Sequence, residues 1–82
     1  MNKRKLLEKV LASSKNTSFH DMVALVEAFG FSLSRSKGSH FIFTHPRIPE
    51  LVNLREKNGK AKPYQVREFL ELVEKYDLEL GD

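Results

Sequence analysis

The hydrophobic rhythm of this chain changes period twice, and that change limits the folds open to it. Over residues 19–29, Met22, Leu25, Val26 and Phe29 fall at i, i+3, i+4 and i+7, one apolar stripe on a helix. From Phe31 the repeat shortens to two, and Phe31-Ser32-Leu33-Ser34-Arg35 reads as a half-buried strand. From Pro63 the helical spacing returns through Val66, Phe69, Leu70 and Val73, with Tyr76 extending it. A helix stripe and a sheet face are both buried only when one packs on the other. The chain is therefore predicted to be α+β, in two layers.

The boundaries follow from local chemistry. Leu6, Leu7, Val10 and Leu11 predict a further short helix over residues 2–13, followed by a polar loop. Ser18 stands at an N-cap position, with Asp21 at N3 accepting from first-turn amides. Gly30 ends that helix as a C′ glycine. Ser36-Lys37-Gly38-Ser39 is a turn, and His40-Phe41-Ile42-Phe43-Thr44 is a second strand antiparallel to the first. Pro46 and Pro49 bracket a connecting loop, since proline cannot donate to a ladder. Leu51-Val52-Asn53-Leu54-Arg55 is a third strand, Asn58-Gly59 another turn, and Pro63 opens the last helix. The expected product is a three-stranded antiparallel sheet with the helices on one face. Glu71 and Lys75 are read as an i, i+4 pair on the last helix.

The 82 residues form one domain, 1–82, and contain no cysteine. A chain this short buries only about 60% of its unfolded surface. The length excludes a Rossmann fold, a barrel enzyme or a two-domain catalyst. The lack of cysteine excludes a disulfide scaffold, a thiol nucleophile and thiolate zinc sites. No apolar run approaches the roughly 18 residues of a membrane span, and no secretory segment follows the basic start, so the expected location is the cytoplasm.

The net charge of +3 is unevenly spread. Residues 1–15 carry +4 and residues 63–82 carry −4. Residues 35–62 carry +5, with Arg35, Lys37, Arg47, Arg55, Lys57, Lys60 and Lys62 against Glu50 and Glu56. A basic zone on a small domain is the footprint of a polyanion binder, though a solvated mixed-sign surface leaves the same trace.

The chain has three histidines, the side-chain type whose unperturbed pKa lies near neutrality. His20, in the first turn of a helix beside Asp21, reads as an exposed helical residue. His45 precedes Pro46 and reads as a strand end that hydrogen-bonds locally. His40 follows Gly38-Ser39 inside the basic zone. By parity Phe41, Phe43 and His45 share one strand face, and His40, Ile42 and Thr44 the other. The phenylalanines make the better core face, so His40 is expected on the helix-free face or at the sheet edge, near Arg35, Lys37 and Ser39. An imidazole among cations can move a proton on a phosphate substrate; a strand histidine facing solvent with no role is the alternative. His40 and His45 differ in parity and lie about 17 Å apart along a strand, so they cannot act as a pair. No metal-ligand spacing occurs, and neither a metal nor a cofactor is expected.

The segment Lys37-Gly38-Ser39-His40-Phe41-Ile42-Phe43-Thr44-His45-Pro46 resembles the HicA (YcfA-like) toxin family. Val26, Phe29, Gly30 and Phe31 resemble that family's opening helix and first strand, and the likeness spans residues 18–76. Residues 1–15 form an extra basic helix before it. The resemblance implies a double-stranded-RNA-binding-like α-β-β-β-α fold. It implies a metal-independent endoribonuclease that cleaves mRNA and halts translation, with a HicB-like antitoxin partner that covers the active histidine. That histidine, the one after Gly-Ser, is His40 here. Arg35 and Lys37 would hold the scissile phosphate, assisted by the Gly38 and Ser39 amides, and Arg47, Arg55, Lys57, Lys60 and Lys62 would track the RNA backbone. Two other functions fit the same chain: a non-catalytic RNA-binding module using the same face, and a protein-interaction domain docking through its N-terminal helix.

Overall fold

The computed structural model describes residues 2–81. In chain order it forms α1 (Lys3–Ala12), a 3-10 turn (Ser14–Asn16), α2 (Phe19–Ala28), β1 (Ser32–Lys37), β2 (His40–His45), β3 (Ile48–Lys57), β4 (Lys60–Ala61) and α3 (Pro63–Lys75). The strands make one antiparallel sheet in the order β1-β2-β3-β4. The α+β class holds, as does the extra N-terminal helix. The expected sheet of three strands gains a fourth, the two-residue β4. It arises because Asn58 and Gly59 both take positive φ, 53° and 76°, making the tight type I′ turn that folds Lys60 back on Lys57. The free side of β4 is closed by the segment entering α2. Ala61 N–H donates to Thr17 O at 3.0 Å, and Phe19 N–H to Gly59 O at 2.9 Å.

The predicted stripe of α2 is the centre of the core. Met22, Leu25 and Val26 are fully buried and Phe29 nearly so. They meet Phe43 of β2, Val52 and Leu54 of β3, Val66 and Phe69 of α3, and Leu6 and Val10 of α1 in a single apolar cluster. The Phe69 ring meets Phe29 and Phe31 edge-on, each at 5.7 Å. All three helices therefore cover the sheet face that carries Phe43.

Two expectations about proline and pairing change. Pro49 lies inside β3, not in a loop. The connection is only Pro46-Arg47, and the pairing register shifts between Phe43 and His45, so residues 49–51 bulge out opposite Thr44. A bulge leaves the proline with no ladder bond to supply. Lys75 does not pair with Glu71. Its ammonium reaches Glu50 on that bulge at 3.0 Å, where the Tyr76 hydroxyl also donates at 2.6 Å. The Tyr76 hydroxyl first, and Lys75 second, hold the Glu50 carboxyl below the usual carboxylate range.

The caps explain where the helices sit. Ser18 Oγ accepts from Asp21 N–H at 3.0 Å, an N-cap bond. The Asp21 carboxylate does not cap the amides as expected. It takes the Lys9 ammonium at 2.8 Å and ties α1 to α2. That hydrogen bond is the main reason the Asp21 carboxyl titrates below its ordinary range. A carboxyl whose pKa falls on folding stabilises the fold above its unfolded pKa, and the gain is lost as pH drops through the folded value. Asp21→Asn should therefore cost about 0.2–1 kcal/mol near pH 7, as for a partly exposed pair. The gap to wild type should close towards pH 3 in urea titrations; a constant gap would reject the ion pair as its source.

Gly30 takes φ +96°, where L side chains rarely go, and a Cβ there would lie 3.0 Å from His45 Nε2. Gly30→Ala should cost about 1–3 kcal/mol by strain alone. A urea midpoint equal to wild type would contradict this.

Candidate active site on the helix-free sheet face

The hairpin between β1 and β2 sets the site. Gly38 has φ +60° and Ser39 a negative φ, the pattern of a two-residue type II′ turn. Open space surrounds the position of a Gly38 Cβ, so backbone angle and not crowding selects glycine there. The turn delivers His40 as the first residue of β2. Its parity puts it opposite the face of Phe43, and it is exposed.

Cross-strand pairing then gives His40 two neighbours. Lys37 of β1 and Arg55 of β3 are its partners on either side. Directly opposed residues share a sheet face, with Cβ atoms roughly 5 Å apart. The row Lys37–His40–Arg55 is thus an imidazole between two cations. The next row on the same face is Arg35–Ile42–Asn53. Among the described residues no carboxylate pairs with Arg35, Lys37 or Arg55.

A bulge makes this possible. The β1 register shifts between Leu33 and Arg35, so Ser34 is an extra residue. Unbroken alternation from buried Phe31 would turn residues 33, 35 and 37 to the helix side. The bulge turns Arg35 and Lys37 to the outer face. Leu33 remains at the uncovered edge, half-exposed where the alternation predicted burial.

The other expected residues are dispersed. The Ser39 carbonyl accepts from Glu56 N–H at 3.0 Å, fastening the turn to β3. Lys57 follows Arg55 on the outer parity and opposes Lys60, whose ammonium bonds Asn16 Oδ1. Lys62 immediately precedes α3, its ammonium 5.9 Å from the centre of the Tyr64 ring. Arg47 is not brought to His40: it lies in the β2–β3 turn, at the far end of a strand spanning about 17 Å. His45 turns inward, accepts Arg47 N–H on Nδ1 at 3.1 Å and meets Phe31 edge-on at 5.0 Å, the local role expected of it. His20 is exposed in the first turn of α2. Among the described residues no three His, Asp or Glu side chains converge as metal ligands. No helix among them is long and apolar enough to cross a membrane.

One residue escaped the sequence reading. Gln65 is buried at 9% exposure, and its Oε1 accepts the Arg55 N–H at 2.8 Å. Its spacing to Phe69 and Leu72, i+4 and i+7, marks a position on the core side of α3, but neighbouring Val66 drew the stripe instead.

The fold and this face define a small α+β protein that buries one side of an antiparallel sheet under helices and presents a histidine flanked by cations on the other. Residues 19–74, well over half the chain, match the family described as HicA toxin of bacterial toxin-antitoxin. The chain belongs to the HicA toxin family, whose members form part of toxin–antitoxin systems. α1 precedes the matched span. No curated protein and no solved structure matches the chain.

Proposed function

We propose that this protein is a toxin-type endoribonuclease that binds mRNA across the helix-free sheet face and cleaves it, with His40 as the proton-transfer group. The observation that carries the reading is the cross-strand row Lys37–His40–Arg55. RNA cleavage without a metal needs three things at one phosphodiester. The 2′-oxygen forms a bond to phosphorus and the P–O5′ bond breaks. The 2′-hydroxyl proton goes to a base, and the departing 5′-oxygen gains a proton from an acid. Cations hold the non-bridging oxygens as charge develops. His40 is the imidazole of the row, a side chain suited to act as base or acid. Lys37 and Arg55 flank it as the phosphate-holding pair, with Arg35 one row away.

Arg55 takes a more central part here than that of a backbone-tracking residue, because pairing makes it His40's direct neighbour. Lys57, Lys60 and Lys62 continue the basic track beyond it, and Arg47 contacts RNA only at the far end of the sheet. The Gly38 and Ser39 amides assist at the turn. The face is open, which suits a polymer gripped by its phosphates and 2′-hydroxyls, recognised by shape more than by base. We also propose a HicB-like antitoxin as the protein partner, lying over this face.

The test is the cleavage of labelled RNA by the purified chain and by His40→Ala. Salt-sensitive binding without products from either would favour a non-catalytic RNA-binding module.

A further inference from the structure

We infer that Gln65 is a positioning residue for RNA cleavage, acting through the backbone of Arg55; this rests on the reading of the His40 row as the cleavage site. Thr17 and Gln65 are the buried polar side chains among the described residues. The Thr17 hydroxyl donates to Ser13 O within its own turn, an ordinary local bond. Gln65 reaches from α3 to a strand residue ten positions earlier.

The reason lies in the length of β4. Glu56 and Lys57 of β3 find partners in Ala61 and Lys60, and there β4 stops. Arg55 is the next residue along β3, and no residue of β4 stands opposite it. Its N–H is met by Gln65 Oε1 at 2.8 Å, so a side-chain carbonyl stands in for the missing strand. On the other side of β3, the Glu56 N–H is held by Ser39 O at 3.0 Å, the carbonyl that precedes His40. Two successive β3 amides are thus fixed in opposite directions, one to the first turns of α3 and one to the turn that presents the histidine. Between them stands the point from which the Arg55 side chain leaves the sheet. Catalysis by held groups is sensitive to displacements of about an ångström. A methionine at position 65 fills the same space but offers no acceptor, leaving the Arg55 amide without its partner.

The experiment measures single-turnover and steady-state cleavage of a fluorescent RNA by wild type, His40→Ala, Gln65→Met, Gln65→Glu, Arg55→Ala and the Arg55→Ala/Gln65→Met double variant. Gln65→Met should lower kcat about tenfold or more and leave KM within about twofold. Gln65→Glu, which keeps an acceptor, should restore most of kcat. In the Arg55→Ala background Gln65→Met should cost little more, because both substitutions act on one group. Should Gln65→Met fold poorly by circular dichroism, Gln65→Asn, whose amide is drawn back by one methylene, takes its place in every comparison. A kcat equal to wild type in Gln65→Met, or in Gln65→Asn where it stands in, overturns the inference. So does a loss that adds in full to that of Arg55→Ala, since a general packing defect would do that. Failure of the underlying reading is separate: wild type and His40→Ala would then cleave alike, and both proposals fall.

Discussion

His40→Ala is expected to abolish RNA cleavage and growth inhibition while leaving the fold and RNA binding in place. A positioned proton-transfer group contributes about 10²–10⁴-fold in rate. The row around His40 holds no second histidine to substitute. The fold should survive because His40 is exposed on the outer face and contributes nothing to the apolar cluster. Binding should survive because Lys37, Arg55, Lys57 and Lys60 remain to neutralise phosphates, so affinity should still fall steeply with salt. The measurement is the cleavage rate of labelled RNA beside its binding constant at several salt concentrations. A variant that cuts RNA at the wild-type rate would remove His40 from the mechanism.

Three residues along the same strand, the opposite outcome is expected. Phe43→Ala should cost about 3–5 kcal/mol, the usual penalty for emptying a phenylalanine site in a core. Phe43 is 1% exposed, on the central strand β2, between Leu33 of β1 and Val52 of β3. Whole domains are stable by only about 5–15 kcal/mol, and a thin core should place this one low in that range. Urea unfolding followed by circular dichroism should show a large fall in midpoint, or no folded baseline at all. A loss under about 1 kcal/mol would mean that the core closes around the gap. The contrast expected between His40 and Phe43 follows from strand parity: one is exposed on the outer face of β2 and the other is buried in the core.

Much of this was legible in the sequence because the signals are local. The stripe of Met22, Leu25, Val26 and Phe29 fixes a helix, and a helix needs no distant partner to state which face is apolar. Gly30 and Gly38 mark positions where φ must be positive, a property of one residue and its neighbours. Phe41 and Phe43 sort the two faces of β2, and His40 follows by parity. The histidine ranked first as the proton-transfer candidate is the one that the fold leaves outward and flanked by cations. Less was legible where a residue's role depends on how far a strand runs. Pro49 reads as a loop residue unless a bulge is known to accommodate it. β4 is two residues long, too short to show a period, and Gln65 gains its role only because β4 ends where it does. Lys75 prefers Glu50 to Glu71 because a bulge brings Glu50 within reach, and a helical repeat carries no information about that.

The sequence by itself determined every element but β4, their order, the buried face of α2 and the parity of His40, because each depends on periodicity within one segment. The sequence placed Arg35 and Lys37 near His40 across the turn; tertiary structure decided which face they occupy and brought Arg55 to its other side. Counted along β1, Arg35 and Lys37 share the parity of buried Phe31, and alternation would turn them to the helices. One extra residue at Ser34 reverses that, because pairing with β2 resumes one position later. Register is a property of two strands together, and a shift of one residue exchanges the faces of every side chain beyond it. The basic character of the zone was written in its composition; the setting of Lys37 and Arg55 on either side of one histidine came from the pairing of β1 and β3 with β2.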